Sequence, residues 1–105
     1  MPTYVLMTKL GQEEGSRRLR GQAWKKKVEN LVPGIRWQAH YALLGAYDFM
    51  DIYDAPNDAA AFKVSMLSRA EGASRAESWP AMRYEAFLEL HDQIEHEHAR
   101  LKTAK

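Results

Sequence analysis

Four short segments of the chain are rich in β-forming residues, and each is bounded by glycine, proline or another turn-forming residue. The predicted strands are Tyr4–Leu10, Ile35–Leu44, Tyr47–Asp54 and Ala73–Pro80. The second and third strands are separated only by Gly45-Ala46, a spacing typical of a β-hairpin.

Two segments between these strands have apolar residues at helical spacing. The first predicted helix runs from about Gln12 to Leu31 and ends at Val32-Pro33-Gly34. The second covers residues 58–71, follows a stop and N-cap at residues 55–58, and has Gly72 at its C′ position.

A third helix follows the last strand. Its apolar spacing begins at Tyr84 and stops near His96. We therefore expect a single domain over residues 1–95 and a polar tail, frayed or in contact with another subunit, over residues 96–105.

The order β-α-β-β-α-β with a trailing helix predicts an α+β fold of ferredoxin-like type. In this arrangement a four-stranded antiparallel sheet carries two helices on one face. The first strand is apolar on both sides, with Leu6 and Leu10 on one and Val5 and Met7 on the other. Because two helices cover only one face, we expect a second copy to cover the other, giving a face-to-face homodimer.

Composition limits the chemistry that this chain can perform. The chain has 105 residues, a formal net charge of +1 and no cysteine. Disulfides, thiolate catalysis, iron–sulfur clusters and cysteine-type zinc sites are thereby excluded. No apolar run is long enough to cross a bilayer and no signal-peptide pattern is present, so a cytoplasmic location is expected.

Several motifs together resemble the GYD-domain family. The signature stands at Gly45-Ala46-Tyr47-Asp48, and residues 2–10 and 40–44 resemble the strands around it. Residues 54–58 resemble the start of the family's second helix, and residues 77–81 resemble its ending motif, with Ser78 in place of threonine. The resemblance implies the dimeric α+β barrel group, but no established reaction and no cofactor.

Asp51 is the most informative polar residue, because it lies in the middle of a predicted central strand. If Gly45-Ala46 forms the hairpin turn, His40 faces Asp51 and Gln38 faces Tyr53. A four-residue loop from Leu44 to Tyr47 gives the same pairing. A carboxylate beside an imidazole can orient it as a proton shuttle. The alternatives are a polar network that fixes the register of a dimer and an exposed cross-strand pair.

The signature turn has both a structural and a functional interpretation. Gly45 is expected to supply a positive φ, and Asp48 beside Tyr47 is expected to accept backbone N–H groups. The alternative is that Asp48 presents a carboxylate at the mouth of the barrel.

On the fourth strand, Arg75 and Glu77 share one face with Trp79. They are either an ion pair lining the same cavity as His40 or a solvated edge. The complete candidate ligand pocket is Tyr53, Gln38, Asp48, Arg75, Glu77 and Trp79.

Two further groups are weaker candidates. His91, Glu95 and His98 share a helix face at a spacing compatible with a divalent metal, but the HExxH order is absent. The first helix is basic but lacks a nucleic-acid motif, so nucleic-acid binding is not expected; its basic residues are Arg17, Arg18, Arg20, Lys25, Lys26 and Lys27.

Three functions remain open. The preferred one is small-molecule binding in a cavity between the sheet and the helices. The second is a cofactor-free oxygenase or isomerase that uses His40 and Asp51, and the third is a structural or accessory homo-oligomeric subunit. Hydrolases and nucleotide-driven enzymes are excluded, because the chain has no phosphate-binding loop, nucleophile elbow or zinc motif.

Overall fold

A computed structural model describes residues 1–11 and 23–103 of the chain. The strands are β1 (Thr3–Leu10), β2 (Arg36–Ala42), β3 (Phe49–Asp54) and β4 (Ala73–Ala81). The helices are α1 (Ala23–Leu31), α2 (Asp58–Ala70) and α3 (Tyr84–Thr103). This order confirms the predicted ferredoxin-like α+β fold with its trailing helix. The predicted start of the first helix near Gln12 lies outside the described residues.

The sheet is fully antiparallel, with the strand order β2-β3-β1-β4. Its central strands are β1 and β3, and Leu6 of β1 lies opposite Asp51 on one side and Ser78 on the other. From Thr3 to Thr8 of β1, half-buried and buried side chains alternate, as expected for a sheet with one covered face.

The hydrophobic core lies between the sheet and the helices α1 and α2. Tyr4 and Tyr53 stack across β1 and β3 with their ring centroids 5.5 Å apart, and both are fully enclosed. The other enclosed apolar residues are Leu6, Val28, Val32, Ala55, Ala60, Ala61, Val64, Ala73 and Ala76. Many of these are alanines, so the helices approach the sheet closely and aromatic rings fill much of the volume.

The opposite face of the sheet has no helix over it within the described chain. It presents Val5 and Met7 of β1 and Met50 and Ile52 of β3, all half-buried. This is the apolar face for which the sequence predicted a second copy, and that homodimer remains a prediction.

Both ends of α2 have the predicted caps. The side chain of Asn57 accepts a hydrogen bond of 2.9 Å from the backbone N–H of Ala60, and Gly72 adopts a φ of 107° just after the helix. The backbone carbonyl of Gly72 in turn accepts the N–H of Gly11 at 3.2 Å. A Cβ atom at Gly11 would lie 2.5 Å from that carbonyl oxygen, so this close approach requires glycine.

A β-bulge in β2 changes the predicted pairing. The predicted register holds from Ala39 to Ala42, so that His40 pairs with Asp51. It shifts by one residue between Trp37 and Ala39, and Trp37, rather than Gln38, lies opposite Tyr53. The expected pairing of Gln38 with Tyr53 is therefore wrong.

Two further expectations need correction. The φ angle of Gly45 is not positive. The loop itself is the four-residue alternative, Leu44 to Tyr47, closed by a 2.8 Å hydrogen bond from the N–H of Leu43 to the carbonyl of Asp48. Helix α3 does not end near His96 but continues to Thr103. Good helix formers continue beyond the point where the simple apolar spacing becomes irregular.

Candidate functional site

His40 and Asp51 form a hydrogen-bonded pair on the helix-covered face of the sheet. The Nδ1 atom of His40 lies 2.6 Å from Oδ1 of Asp51, which confirms the contact predicted from the register. The Asp51 side chain is 0% exposed, whereas the His40 side chain is 40% exposed. The pair therefore joins an enclosed carboxylate to an imidazole that solvent reaches.

Helix α1 supplies a positive charge beside this pair. Nζ of Lys25 lies 3.9 Å from Oδ1 of Asp51 and 5.2 Å from the centre of the Trp37 ring, and its side chain is mostly buried. The sequence analysis named Lys25 only as one of the basic residues of the first helix, so its contribution to the site was missed. Its position directly after Trp24, an apolar residue of the first predicted helix, was a clue in the sequence.

The geometry of the pair suits proton transfer. When Asp51 is ionised, its carboxylate only accepts hydrogen bonds, and His40 then carries a proton on Nδ1. Nε2 then has a lone pair available for a proton from another molecule. Stacking of the imidazole on Phe49, with centroids 5.4 Å apart and planes at 21°, fixes the plane of the ring.

A chain of hydroxyl groups lies on the same face, farther toward β4. The Tyr53 hydroxyl is 2.7 Å from Oγ of Ser78, which is 2.7 Å from Oγ of Ser65 on α2. Burial raises the pKa of Tyr53, and the hydrogen bond with Ser78 acts in the opposite direction. Tyr53, one of the predicted pocket residues, thus points under α2.

Tyr4 and Asp58 form a second polar contact beneath α2. The Tyr4 hydroxyl donates a 2.5 Å hydrogen bond to Oδ1 of Asp58 in the first turn of the helix. This hydrogen bond, together with burial, raises the pKa of Tyr4 to about 12. Nothing in the sequence pattern indicated this pair, because Tyr4 was predicted only as the start of the first strand and Asp58 only as the start of the second helix.

Tyr4, Ser65 and Ser78 border a cleft between α2 and the edge strand β4. The cleft has a volume of about 390 Å³. Its lining includes Tyr4, Asp58, Phe62, Ser65, Arg69 and Ser78. Two of the predicted pocket residues, Glu77 and Trp79, also border it from β4.

Arg75, Glu77 and Trp79 share one face of β4, as predicted, but it is the face opposite His40. Their partners on β1 are Lys9, Met7 and Val5, whereas Asp51 aligns with Leu6 and Ser78. The three residues of β4 therefore do not share a cavity with the His40–Asp51 pair.

Tyr47 of the signature turn reaches this cluster on β4. Its hydroxyl donates a hydrogen bond to Oε2 of Glu77, and its ring meets that of Trp79 edge-on at 6.3 Å. The hydrogen bond to Glu77 raises the pKa of Tyr47, while the nearby guanidinium of Arg75 opposes the shift. Glu77 is thus engaged by the signature tyrosine.

The remaining predicted pocket residues make structural hydrogen bonds. Oδ2 of Asp48 accepts the backbone N–H of Leu10 at 2.7 Å. Nε2 of Gln38 donates to Oδ2 of Asp54 at 2.6 Å, and Thr3 donates to the other oxygen of Asp54 at 2.6 Å. The hydrogen bond from Thr3, aided by that from Gln38, lowers the pKa of Asp54.

The candidate metal ligands on α3 lie in solvent. His91, Asp92 and Glu95 can bring their ligand atoms within 4.8 Å of one another, and all three are exposed. Asp92 joins this group in place of the predicted His98. An exposed group of this kind, without ordered supporting residues, is common on helices and does not define a metal site.

The sheet order β2-β3-β1-β4, with α1 and α2 on one face, defines an α+β domain of ferredoxin-like type. The family model for the GYD domain matches residues 4–90, and the chain belongs to this family. No curated protein and no solved structure matches the chain. None of the described helices has the length and apolar character needed to cross a membrane.

Proposed function

We propose that this GYD-domain protein binds a small organic molecule in the cleft between α2 and β4. The observation that carries the proposal is the convergence of hydroxyl groups on a cleft of about 390 Å³. Binding sites for small molecules commonly have this size and combine an apolar lining with a few fixed polar groups.

The polar groups of the cleft are already ordered by their own hydrogen bonds. Ser78 is hydrogen-bonded to both Ser65 and Tyr53. The Asp58 carboxylate accepts a hydrogen bond from Tyr4. A ligand that meets pre-ordered groups loses less conformational entropy on binding. Arg69, which donates to the carbonyl of Ala76 at 3.0 Å, adds a positive charge at one end. We therefore propose a ligand with an apolar body and hydroxyl or carboxylate groups.

Phe62 offers a direct test, because it lines the cleft and is 70% exposed. The probes are small hydroxybenzoic acids, added to isotope-labelled protein while backbone amide signals are followed by NMR. We expect shifts at Ser65 and Ser78 that saturate with probe concentration. We expect Phe62→Ala to weaken the probes about tenfold, the equivalent of about 1.4 kcal/mol of lost apolar contact.

Met66→Ala is the matched control for Phe62→Ala. Met66 is an exposed apolar residue of the same helix, is 61% exposed, and does not line the cleft. Its substitution should leave probe binding unchanged. Shifts confined to residues outside the cleft, or equal effects of the two substitutions, would refute the proposed site.

The His40–Asp51 pair supports a second candidate, a cofactor-free enzyme that transfers protons. The specific observation is the 2.6 Å contact between a fully enclosed carboxylate and a solvent-accessible imidazole. A base held in this way contributes to reactions in which a proton is removed beside a carbonyl group, as in isomerisation.

A nitrobenzisoxazole tests this base without knowledge of the substrate. One base takes its ring proton while the N–O bond breaks, and the coloured phenolate product is measured directly. We expect the wild type to open the ring faster than His40→Gln, with Asp51→Asn in between. His91→Gln, which removes another accessible imidazole, is the control and should open the ring as fast as the wild type. If His40→Gln and Asp51→Asn also open the ring at the rate of His91→Gln, an activated base is excluded.

The open face of the sheet supports a second copy of this chain as its partner, in a homodimer. Four half-buried apolar residues, Val5, Met7, Met50 and Ile52, are presented there. Apolar surface of this kind is usually covered in soluble proteins. We expect sedimentation to show a dimer, and Val5→Lys to shift it towards monomer. A stable monomer at micromolar wild-type concentration would contradict the dimer.

A further inference from the structure

Helix α3 carries apolar side chains but buries none of them. Every residue from Tyr84 to Thr103 is exposed, including large residues such as Phe87, Ile94 and Leu101. A helix of 20 residues is about 30 Å long, so this is an extended apolar surface in water. Such a surface on a helix normally packs against a partner.

Three large apolar residues of α3 recur every seven residues: Phe87, Ile94 and Leu101. With Tyr84 placed at position a of a heptad, the a and d positions follow in turn: Tyr84, Phe87, His91, Ile94, His98 and Leu101. A repeat of 3.5 residues on average is the pattern by which two helices pack along their whole length in a coiled coil. The ordinary amphipathic helix, with its 3.6-residue period, needs no such strict repeat.

We propose that α3 pairs in parallel with α3 of a second copy of this chain. The charges flanking the seam favour this orientation. In a parallel pair each g residue meets the e residue five positions later on the other helix, so Glu97 meets Lys102 of the partner subunit. The other g residue of the helix, Leu90, then meets Glu95 of the partner subunit, so no like charges oppose each other.

An antiparallel pair lacks this charge complementarity. There, e residues face e residues and g residues face g residues, which places Glu95 near Leu88 and Glu97 near Leu90. No opposite charges meet across the seam in that orientation. The difference favours the parallel pair and sets its register.

The two histidines have a defined role in this arrangement. His91 and His98 occupy a positions, where polar residues lower the stability of a coiled coil but fix its register. We therefore expect His98→Leu to strengthen self-association at least about tenfold, since an apolar side chain replaces a polar one at the seam. His96→Leu, which lies on the outer face at position f, should leave association unchanged.

The absence of cysteine from the chain allows a direct test of orientation. In a parallel pair, Leu101→Cys places two thiols in the same d layer, where they can form a disulfide between subunits. Arg100→Cys, at the outer position c, is the matched control. Under mild oxidation of the whole protein we expect Leu101→Cys to cross-link at least about tenfold faster than Arg100→Cys, because thiol–disulfide exchange depends strongly on access and position.

Two outcomes would overturn the proposal. Equal rates for Leu101→Cys and Arg100→Cys mean that α3 does not pair along this seam, whether or not the protein dimerises through its sheet. Cross-linking only in a mixture of Tyr84→Cys and Leu101→Cys proteins means that the helices run antiparallel. Circular dichroism establishes that each variant retains its fold before oxidation.

Discussion

The carboxylate of Asp48 accepts the backbone N–H of Leu10 at 2.7 Å and thereby ties the signature loop to the end of β1. The backbone N–H of Asp48 also donates to the carbonyl of Thr8 at 2.8 Å. Tyr47 extends in the other direction and bonds Glu77 on β4. Two residues of the signature therefore join the β2–β3 loop to both β1 and β4.

Asp48→Ala is expected to lower the free energy of unfolding by about 1.5–3 kcal/mol, because a hydrogen bond to a charged acceptor is lost and the Leu10 N–H is left without it. Urea unfolding followed by tryptophan fluorescence measures the change. Asp92→Ala, at an exposed position of α3, is the control and should change stability little. An equal loss in both variants would mean that Asp48 does not tie the loop to β1.

The contact between His40 and Asp51 predicts an unusual imidazole tautomer. When the imidazole of His40 is neutral, nitrogen chemical shifts measured by NMR should show its proton on Nδ1, facing the carboxylate of Asp51. Asp51→Asn should shift the proton toward Nε2, because a neutral amide holds Nδ1–H less strongly. His96 provides the internal reference in the same spectra. An unchanged His40 tautomer in Asp51→Asn would show that Asp51 does not orient the ring.

Tyr4 makes stability sensitive to alkaline pH. Its pKa is raised from 10.0 to about 12 by the hydrogen bond to Asp58 and by burial. The stabilisation is therefore complete below pH 10 and is lost as pH rises toward the folded-state value, because the unfolded chain releases the proton first. Urea unfolding between pH 8 and pH 12 should show a steeper loss in the wild type than in Tyr4→Phe. Tyr41→Phe, at an exposed position, should behave like the wild type.

Asp54 makes the stability of the protein sensitive to acidic pH. The hydrogen bonds from Thr3 and Gln38 lower the pKa of Asp54 below 3.8. Its stabilisation is present above that value and is lost as pH falls through the lower folded-state value. Stability measured from neutral to strongly acidic pH should fall less in Asp54→Asn than in the wild type, and Asp92→Asn serves as control. Parallel profiles for wild type and Asp54→Asn would exclude this contribution.

Gly11→Ala should destabilise the protein, whereas Gly45→Ala should change its stability little. At Gly11 the new Cβ would lie 2.5 Å from the backbone oxygen of Gly72, so we expect a loss of about 1–3 kcal/mol from the resulting strain. At Gly45 a Cβ has no heavy atom within 4 Å, and φ is not positive. Gly45→Ala should therefore change stability by less than about 0.5 kcal/mol, as at an unconstrained surface site. Thermal and urea unfolding compare the two, and a large loss at Gly45 would restore the interpretation of that glycine as a conformational requirement.

The element order, the hairpin and the His40–Asp51 pair were predictable, because each depends on short-range patterns. Alternation, turn residues and helical spacing are properties of neighbouring residues, and pairing next to a short loop follows from simple counting. The signature residues of the turn were also visible in the sequence. Their partners, Leu10 and Glu77, were not, because they lie on strands distant in the chain.

Other features depend on three-dimensional packing and left no mark in the sequence. The bulge in β2 is one example, because Trp37 gains contact with Tyr53 and Trp24 only when the strand shifts by one residue. The hydrogen bond from Tyr4 to Asp58 spans 54 residues and required the docked position of α2. Lys25 became part of the site only because α1 lies over Trp37 and Asp51.

The extra residue in β2 has a consequence for comparing this chain with other members of the family. Since one residue between Trp37 and Ala39 has no counterpart on β3, the two halves of the strand follow the in–out alternation in different phase. A relative whose strand is regular here would have one residue fewer. Alignment of the two sequences would then need a gap at Gln38, and a gap-free alignment would match Trp37, which faces the helices, with a residue on the opposite face.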